Sequence, residues 1–155
     1  MKQIKNKTIL NAILLFSIFA LGSAYFIEHI LKHEPCNLCL FERLPYIFAI
    51  IIILFNLFIK KYEKFFFILL SIIFISATFL SFYHFGIEQG FFIETKACNS
   101  TGDLNNLNKE NVLKELENKI ISCKDVTFRI LGLSLASINT IISLILAVIT
   151  IKVFL

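Results

Sequence analysis

The sequence predicts an all-α integral membrane protein, a four-transmembrane-helix bundle with a short and a long periplasmic loop, the long one carrying a short amphipathic helix. Three observations predict it. Hydrophobic residues make up 57% of the 155 and mean hydropathy is +0.81, above the roughly half-apolar composition of soluble domains. The apolar residues are continuous, in uncharged runs at 9–27, 44–59, 65–83 and 130–151. The cations and cysteines, finally, fall on opposite sides of those runs. Nothing divides the chain, so a single membrane domain over 1–155 is expected.

A helix rises about 1.5 Å per residue, so roughly 17–25 residues cross the hydrocarbon core. The second run is short, and Leu40 and Phe41 extend it, giving expected spans of 9–27, 41–59, 65–83 and 130–151. Lys2, Lys5 and Lys7 precede the first span, and Lys60, Lys61 and Lys64 lie between the second and third. The positive-inside rule then makes both termini and the 60–64 turn cytoplasmic. The loops at about 28–43 and 84–129 face outward, and all four cysteines with them, in a compartment where disulfides persist. The formal charge of +4 is spread in this way rather than gathered on one surface. The expected surroundings are a lipid bilayer, and no nucleic acid.

The Lys-rich start, apolar run and small residues Ala20, Gly22, Ser23 and Ala24 also fit a signal peptide. A signal's apolar region is usually about 7–15 residues, and this one continues unbroken through Ile27, which favours a retained span. Ala20 and Ala24 then serve as close helix contacts. In the long loop Val112, Leu113, Leu116 and Ile120 share a helix face, with Glu110–Lys114 and Glu115–Lys119 as i,i+4 pairs. That face either lies on the bilayer or packs on the ends of the spans; both placements stay open. In the last run Gly132, Ala136, Thr140, Ser143 and Ala147 have the spacing of a helix-packing stripe, and Asn139 suits an interhelical hydrogen bond.

The chemistry is concentrated in Cys36-Asn37-Leu38-Cys39-Leu40-Phe41-Glu42-Arg43. A thiolate, not a thiol, is the nucleophile, and a nearby cation favours it. Arg43 follows Cys39 by four residues, one helical turn, although Pro45 disfavours helix at Leu44. Cys36 is expected to be the more exposed partner. Three readings compete. A structural disulfide would close too small a ring to constrain much chain. A zinc site would need all four cysteines, and Cys98 and Cys123 lack a ligand pair's close spacing. A redox dithiol accounts for compartment, spacing and cation together. Cys98 and Cys123 form a second outer pair, read either as a structural clip or as a disulfide that exchanges with the first. A redox pair at the membrane edge suits a lipid-soluble electron acceptor. His84 stands where the third span meets the outer interface and can exchange a proton; its plainer reading is solvation there.

Together these residues resemble the DsbB-type bacterial disulfide bond formation proteins. The likeness rests on the C-x-L-C-x-x-[EQ]-R pattern at 36–43, and on His84 in Tyr83-His84-Phe85-Gly86-Ile87-Glu88-Gln89-Gly90. It extends to Cys98 with Cys123, and to Phe128-Arg129-Ile130-Leu131-Gly132, covering nearly the whole chain. The resemblance implies a protein thiol:quinone oxidoreductase of the inner membrane. A periplasmic thioredoxin-fold carrier of the DsbA type would attack the Cys98–Cys123 disulfide, forming the mixed disulfide at Cys98. Electrons would pass to Cys36–Cys39, with Cys39 facing the quinone (ubiquinone or menaquinone), Arg43 and His84 beside the ring and Glu42 adjacent. Phe128 stands where many relatives have tryptophan, which removes an indole N–H donor. The competing class is a non-enzymatic membrane protein with structural disulfides or a four-cysteine metal site.

Overall fold

A computed structural model describes residues 2–59, 62–93, 98, 123–124, 129–130 and 132–154, with only the backbone at 2–5 and 130. The expected amphipathic helix at 112–120, most of the long loop and Phe128 lie outside the described residues. Four helical segments are long and apolar enough to cross a membrane: Asn6–His29, Asn37–Phe58, Glu63–Glu88 and Leu135–Phe154. At about 1.5 Å per residue their 20 to 26 residues each match a hydrocarbon core. The protein is a four-helix membrane bundle.

The first helix, α1 (Lys2–His29), begins well before the apolar run at 9, because lysines are good helix formers and carry the helix into the headgroup region. A short turn after it includes Lys32 at φ 54°. The second crossing is made of α2 (Asn37–Phe41) and α3 (Leu44–Phe58). Pro45 lacks an N–H and restricts Leu44, so the helix tightens at Glu42 and Arg43, where the Arg43 amide bonds the Leu40 carbonyl at 3.1 Å. Both residues keep right-handed helical angles, so the crossing is interrupted without being redirected. The third crossing, α4 (Glu63–Glu88), ends at Gly90, whose φ of 79° suits the left-handed turn that stops a helix.

The last span was expected to open at 130, and a pair of short strands instead precedes it. Strands β1 (Arg129–Ile130) and β2 (Leu133–Ser134) pair antiparallel, Arg129 opposite Ser134. Gly132, read from sequence as part of the packing stripe, occupies the turn with φ 85°. The final helix, α5 (Leu135–Phe154), starts only then, with Ser134 Oγ accepting the Ser137 amide at 3.2 Å. The rest of the stripe packs inward: Ala136, Ser143 and Ala147 are buried.

In the bundle α1 packs on α3, α3 on α4, and α4 along α5. Leu10, Ile13, Ala49, Ile53, Phe67, Leu70, Phe74 and Ala147 form the main core. Leu15, Phe19, Phe55, Phe79 and Ile145 point outward, the opposite of a soluble surface and correct for helices solvated by lipid. Four hydroxyls in the spans are satisfied locally: Ser71, Ser81, Thr140 and Thr150 donate to carbonyls four residues back at 2.8–3.0 Å. A second, smaller cluster closes the end of the bundle that carries the paired cysteines: Cys36, Leu38, Ile87, Cys98 and Cys123.

The exit from α4 is shaped by one glycine. The amides of Phe91 and Phe92 fold back onto the Gly86 carbonyl at 2.8 and 3.2 Å, and the Phe92 ring stacks on Tyr83 with centroids 5.5 Å apart. A Cβ on Gly86 would overlap the Phe92 ring. Gly86→Ala should therefore lower unfolding stability in detergent by about 1–3 kcal/mol, the usual cost of overpacking. The loss should disappear in a Phe92→Ala background. A loss that persists there refutes the overlap as its cause.

Candidate functional site

Cys36 and Cys39 stand at the start of the second crossing. Cys36 has extended backbone (φ −71°, ψ 165°) and caps α2, its Sγ accepting the Cys39 amide at 3.3 Å. The two sulfurs are 2.8 Å apart, and both cysteines are free. A small side-chain rotation would bring them to a disulfide's length of about 2.05 Å. Contrary to the sequence expectation, Cys36 is the less exposed of the two: it is buried, and Cys39 is half-buried. The reason is Ile87 and the Cys98–Cys123 pair, which pack against Cys36.

His84 meets this pair from α4. Its Nε2 lies 3.5 Å from Cys36 Sγ, and its Nδ1 donates to Glu42 Oε1 at 2.7 Å. The carboxylate partner assigns the tautomer: with the proton on Nδ1, Nε2 is left to take a proton from the thiol. His84 is 2% exposed, so its chemistry is not that of a solvated interfacial histidine. Glu42 is buried too. Its other oxygen accepts from Asn139 Nδ2 at 2.8 Å, and the same amide donates to Ser81 Oγ at 2.8 Å. Tyr46 O–H donates to Asn139 Oδ1 at 2.5 Å. One chain of hydrogen bonds thus joins the Glu42 corner to three helices and ends on a cysteine.

Arg43 does not turn back onto Cys39. The tightened backbone before Pro45 directs it to α1, where Nη1 donates to Glu28 Oε2 at 2.6 Å and the guanidinium lies 5.2 Å from the Tyr25 ring centroid. Guanidinium–carboxylate and guanidinium–aromatic contacts together hold a side chain in one pose. Arg43 keeps a place in the wall of the site.

Cys98 and Cys123 are joined as a disulfide, which leaves no four thiolates for a four-cysteine metal site. Both are buried, at 0% and 2% exposure, where the sequence had suggested ready access to another protein. Their burial against Cys36 and Leu38 puts the two cysteine pairs in one packed cluster.

Beneath the cluster lies a cavity of about 350 Å³, within the roughly 300–1,000 Å³ of small-molecule sites. Phe16, Phe19, Ile27 and Ile142 give it apolar walls, while Cys39, Arg43, His84 and Glu88 give it a polar end. Ala20 and Ala24 also line it, so their small size leaves room for the cavity as well as for helix contact. Glu88 Oε2 is buried there with no hydrogen-bond partner among the described residues. An amphiphile with a flat polar head and an apolar tail fits such a lining.

The sequence drew attention to seven residues: Cys36, Cys39, Glu42, Arg43, His84, Cys98 and Cys123. The structure gathers all seven at one end of the bundle. It adds Glu28, Tyr46, Ser81, Glu88 and Asn139. Of these only Asn139 carried a signal, as a polar residue within an apolar run.

The hydrogen bond from the Cys39 thiol holds the Cys36 thiol well below its ordinary value, at about 4. Burial opposes the shift, and the contacts with His84 and the Cys39 amide support it. A depressed folded-state value means that the thiolate is present above that pH and is lost as pH falls through it. In reduced protein lacking Cys98 and Cys123, thiolate ultraviolet absorbance should persist at pH 6 and fall with a midpoint near pH 4. His84→Gln should move the midpoint upward. A midpoint near the ordinary thiol value in the parent would refute this electrostatic picture.

Comparison with known proteins agrees with this arrangement. The family model for the disulfide bond formation protein DsbB matches residues 6–153. An uncharacterised protein of Rickettsia prowazekii (strain Madrid E) is 33% identical over 143 residues, covering 90% of this chain and 83% of the relative. No solved structure matches. With a dithiol and a disulfide packed together at the end of a four-helix membrane bundle, the chain belongs to the DsbB family of disulfide bond formation proteins.

Proposed function

We propose that this chain is a single membrane domain that reoxidises a periplasmic thioredoxin-fold dithiol carrier and passes the electrons to a membrane quinone. The observation that supports it most is the packing of both cysteine pairs in one cluster at the polar end of an apolar-walled cavity. The distribution of lysines supports cytoplasmic termini and a periplasmic cluster.

The first exchange takes place at the outer pair. A carrier thiolate attacks Cys98, the Cys98–Cys123 bond breaks, and the leaving Cys123 sulfur takes a proton. The second carrier thiol then displaces Cys98, so that two electrons and two protons have entered the outer pair. The outer dithiol next reduces a Cys36–Cys39 disulfide by the same exchange, Cys36 being the sulfur that faces it. The inner dithiol returns to the disulfide as two electrons and two protons leave it. Quinone, when bound, supplies the acceptor for both.

The chain's own residues prepare that last step. His84 Nε2 takes the Cys36 proton, and Glu42 stabilises the imidazolium through Nδ1. Asn139 fixes Glu42, so that the acceptor nitrogen stays aimed at the thiol. Cys39, at the cavity wall, faces the acceptor. Arg43, Glu42 and His84 form the binding end, with the Arg43 cation favouring negative charge that develops there.

Cys123→Ala should accumulate a mixed disulfide between Cys98 and a small soluble thioredoxin-fold protein, detected on non-reducing gels. Absence of any such adduct would sink the oxidase reading. With a reduced carrier as donor, Cys39→Ser should abolish quinone reduction by purified protein. Arg43→His should weaken it through apparent quinone affinity, and unchanged kinetics would remove Arg43 from the binding end.

A further inference from the structure

We infer that the reduced Cys36–Cys39 dithiol and His84 together form a redox-gated site for a thiophilic divalent cation of the zinc class. One ligand atom from each of the three residues lies within 4.8 Å of the others, a set of two sulfurs and one imidazole nitrogen, the donor types zinc prefers. A tetrahedral ion with Zn–S of about 2.3 Å and Zn–N of about 2.0–2.1 Å requires an S···N separation of about 3.6 Å and an S···S separation of about 3.8 Å. The Cys36–His84 edge is already 3.5 Å. The two sulfurs, 2.8 Å apart, need to open by about 1 Å, which rotation of the half-buried Cys39 side chain supplies.

The surroundings make this more than a coincidence of three side chains. Metal-bound histidines usually give their second ring N–H to a carboxylate, which fixes the ring and raises its basicity. His84 Nδ1 does this with Glu42 at 2.7 Å, and Glu42 is itself held by Asn139. A second carboxylate stands at the open side: Glu88 Oε1 is 3.8 Å from His84 Nε2, its side chain 6% exposed, and Glu88 Oε2 has no hydrogen-bond partner among the described residues. It adds negative charge where a cation would sit, beside a fourth position that opens on the cavity. Binding displaces two protons, one from Cys39 and one from the Cys36–His84 pair, and no electrons move. The site exists only in the dithiol state, because a Cys36–Cys39 disulfide has no thiolate to offer. Occupancy would therefore hold the inner pair reduced and stop turnover. The inference stands on the reduced pair's geometry and needs neither the carrier nor the acceptor proposed above.

The test uses full-length protein in detergent with Cys98→Ala and Cys123→Ala, so that the inner pair supplies the only thiols. Zn²⁺ is titrated in competition with a chromophoric chelator, after reduction by a non-thiol reductant and again after oxidation. One equivalent should bind to the reduced form and none to the oxidised form. His84→Gln should weaken binding at least tenfold, and Glu42→Gln by about 10–100-fold, the usual range for a ligand-orienting carboxylate. No zinc on the reduced form, or uptake unchanged by Cys36→Ser, overturns the inference. If removal of the outer pair prevents folding, reduced wild-type protein is alkylated with and without Zn²⁺ and mapped by mass. Protection of Cys36 and Cys39 supports the site, and protection confined to Cys98 and Cys123 overturns it. Absence of carrier-driven quinone reduction by zinc-free wild-type protein, with zinc binding by its reduced form intact, would refute the proposed oxidase and leave the metal site standing.

Discussion

The Glu42 carboxylate is the interaction on which the cysteine-bearing end of the molecule depends. It is buried, and taking an isolated carboxylate out of water costs several kcal/mol unless hydrogen bonds and charge replace the water. The replacement comes from two directions, His84 at 2.7 Å and Asn139 at 2.8 Å. Each donor lies on a different helix, so α4 and α5 are held in register relative to the start of α3. Tyr46 and Ser81 then orient Asn139. A network of this kind is costly if half satisfied and rigid if complete. Here it is complete at Glu42, and its rigidity is delivered to the His84 ring facing Cys36.

Much of the fold was legible because a bilayer imposes simple demands. Long uncharged runs must be helices, since lipid cannot satisfy an open backbone, and the four runs are found as helices. The cysteine motif was legible because its residues are neighbours in sequence. The hairpin at 129–134 was not: Ile130 and Leu133 read as the start of a span, and only the positive φ of Gly132 distinguishes a turn from a helix there. The Arg43–Glu28 pair was hidden for a different reason. Local spacing placed Arg43 one turn from Cys39, and the proline two residues on released it toward α1. Burial of Cys36 depends on Ile87, Cys98 and Cys123, residues distant in sequence whose packing no local pattern encodes.

The two ends of the bundle differ in kind. The main core, from Leu10 to Ala147, is apolar and tightly filled, and serves to hold the helices. The cysteine-bearing end combines sulfur, imidazole and carboxylate around a cavity. That concentration of buried polar groups is tolerable because hydrogen bonds among Glu42, His84, Asn139 and Ser81 replace the lost water. Family membership and this geometry point the same way: the bundle holds two cysteine pairs together in one packed cluster.

Burial of the Cys98–Cys123 pair has a kinetic consequence. Attack on a disulfide needs a line of approach along the sulfur–sulfur axis, and neither sulfur offers one to a molecule arriving from outside. An attacking thiol must wait for the pair to lift away or must stabilise the lifted form by its own contacts. When a reactive form is a minor fraction of the population, apparent affinity falls by that fraction. A large protein with a complementary surface can offset the loss, whereas a small free thiol has too few contacts to do so. For the exchange proposed at this pair, the packed position of two sulfurs would discriminate by the size of the visitor before any bond is exchanged.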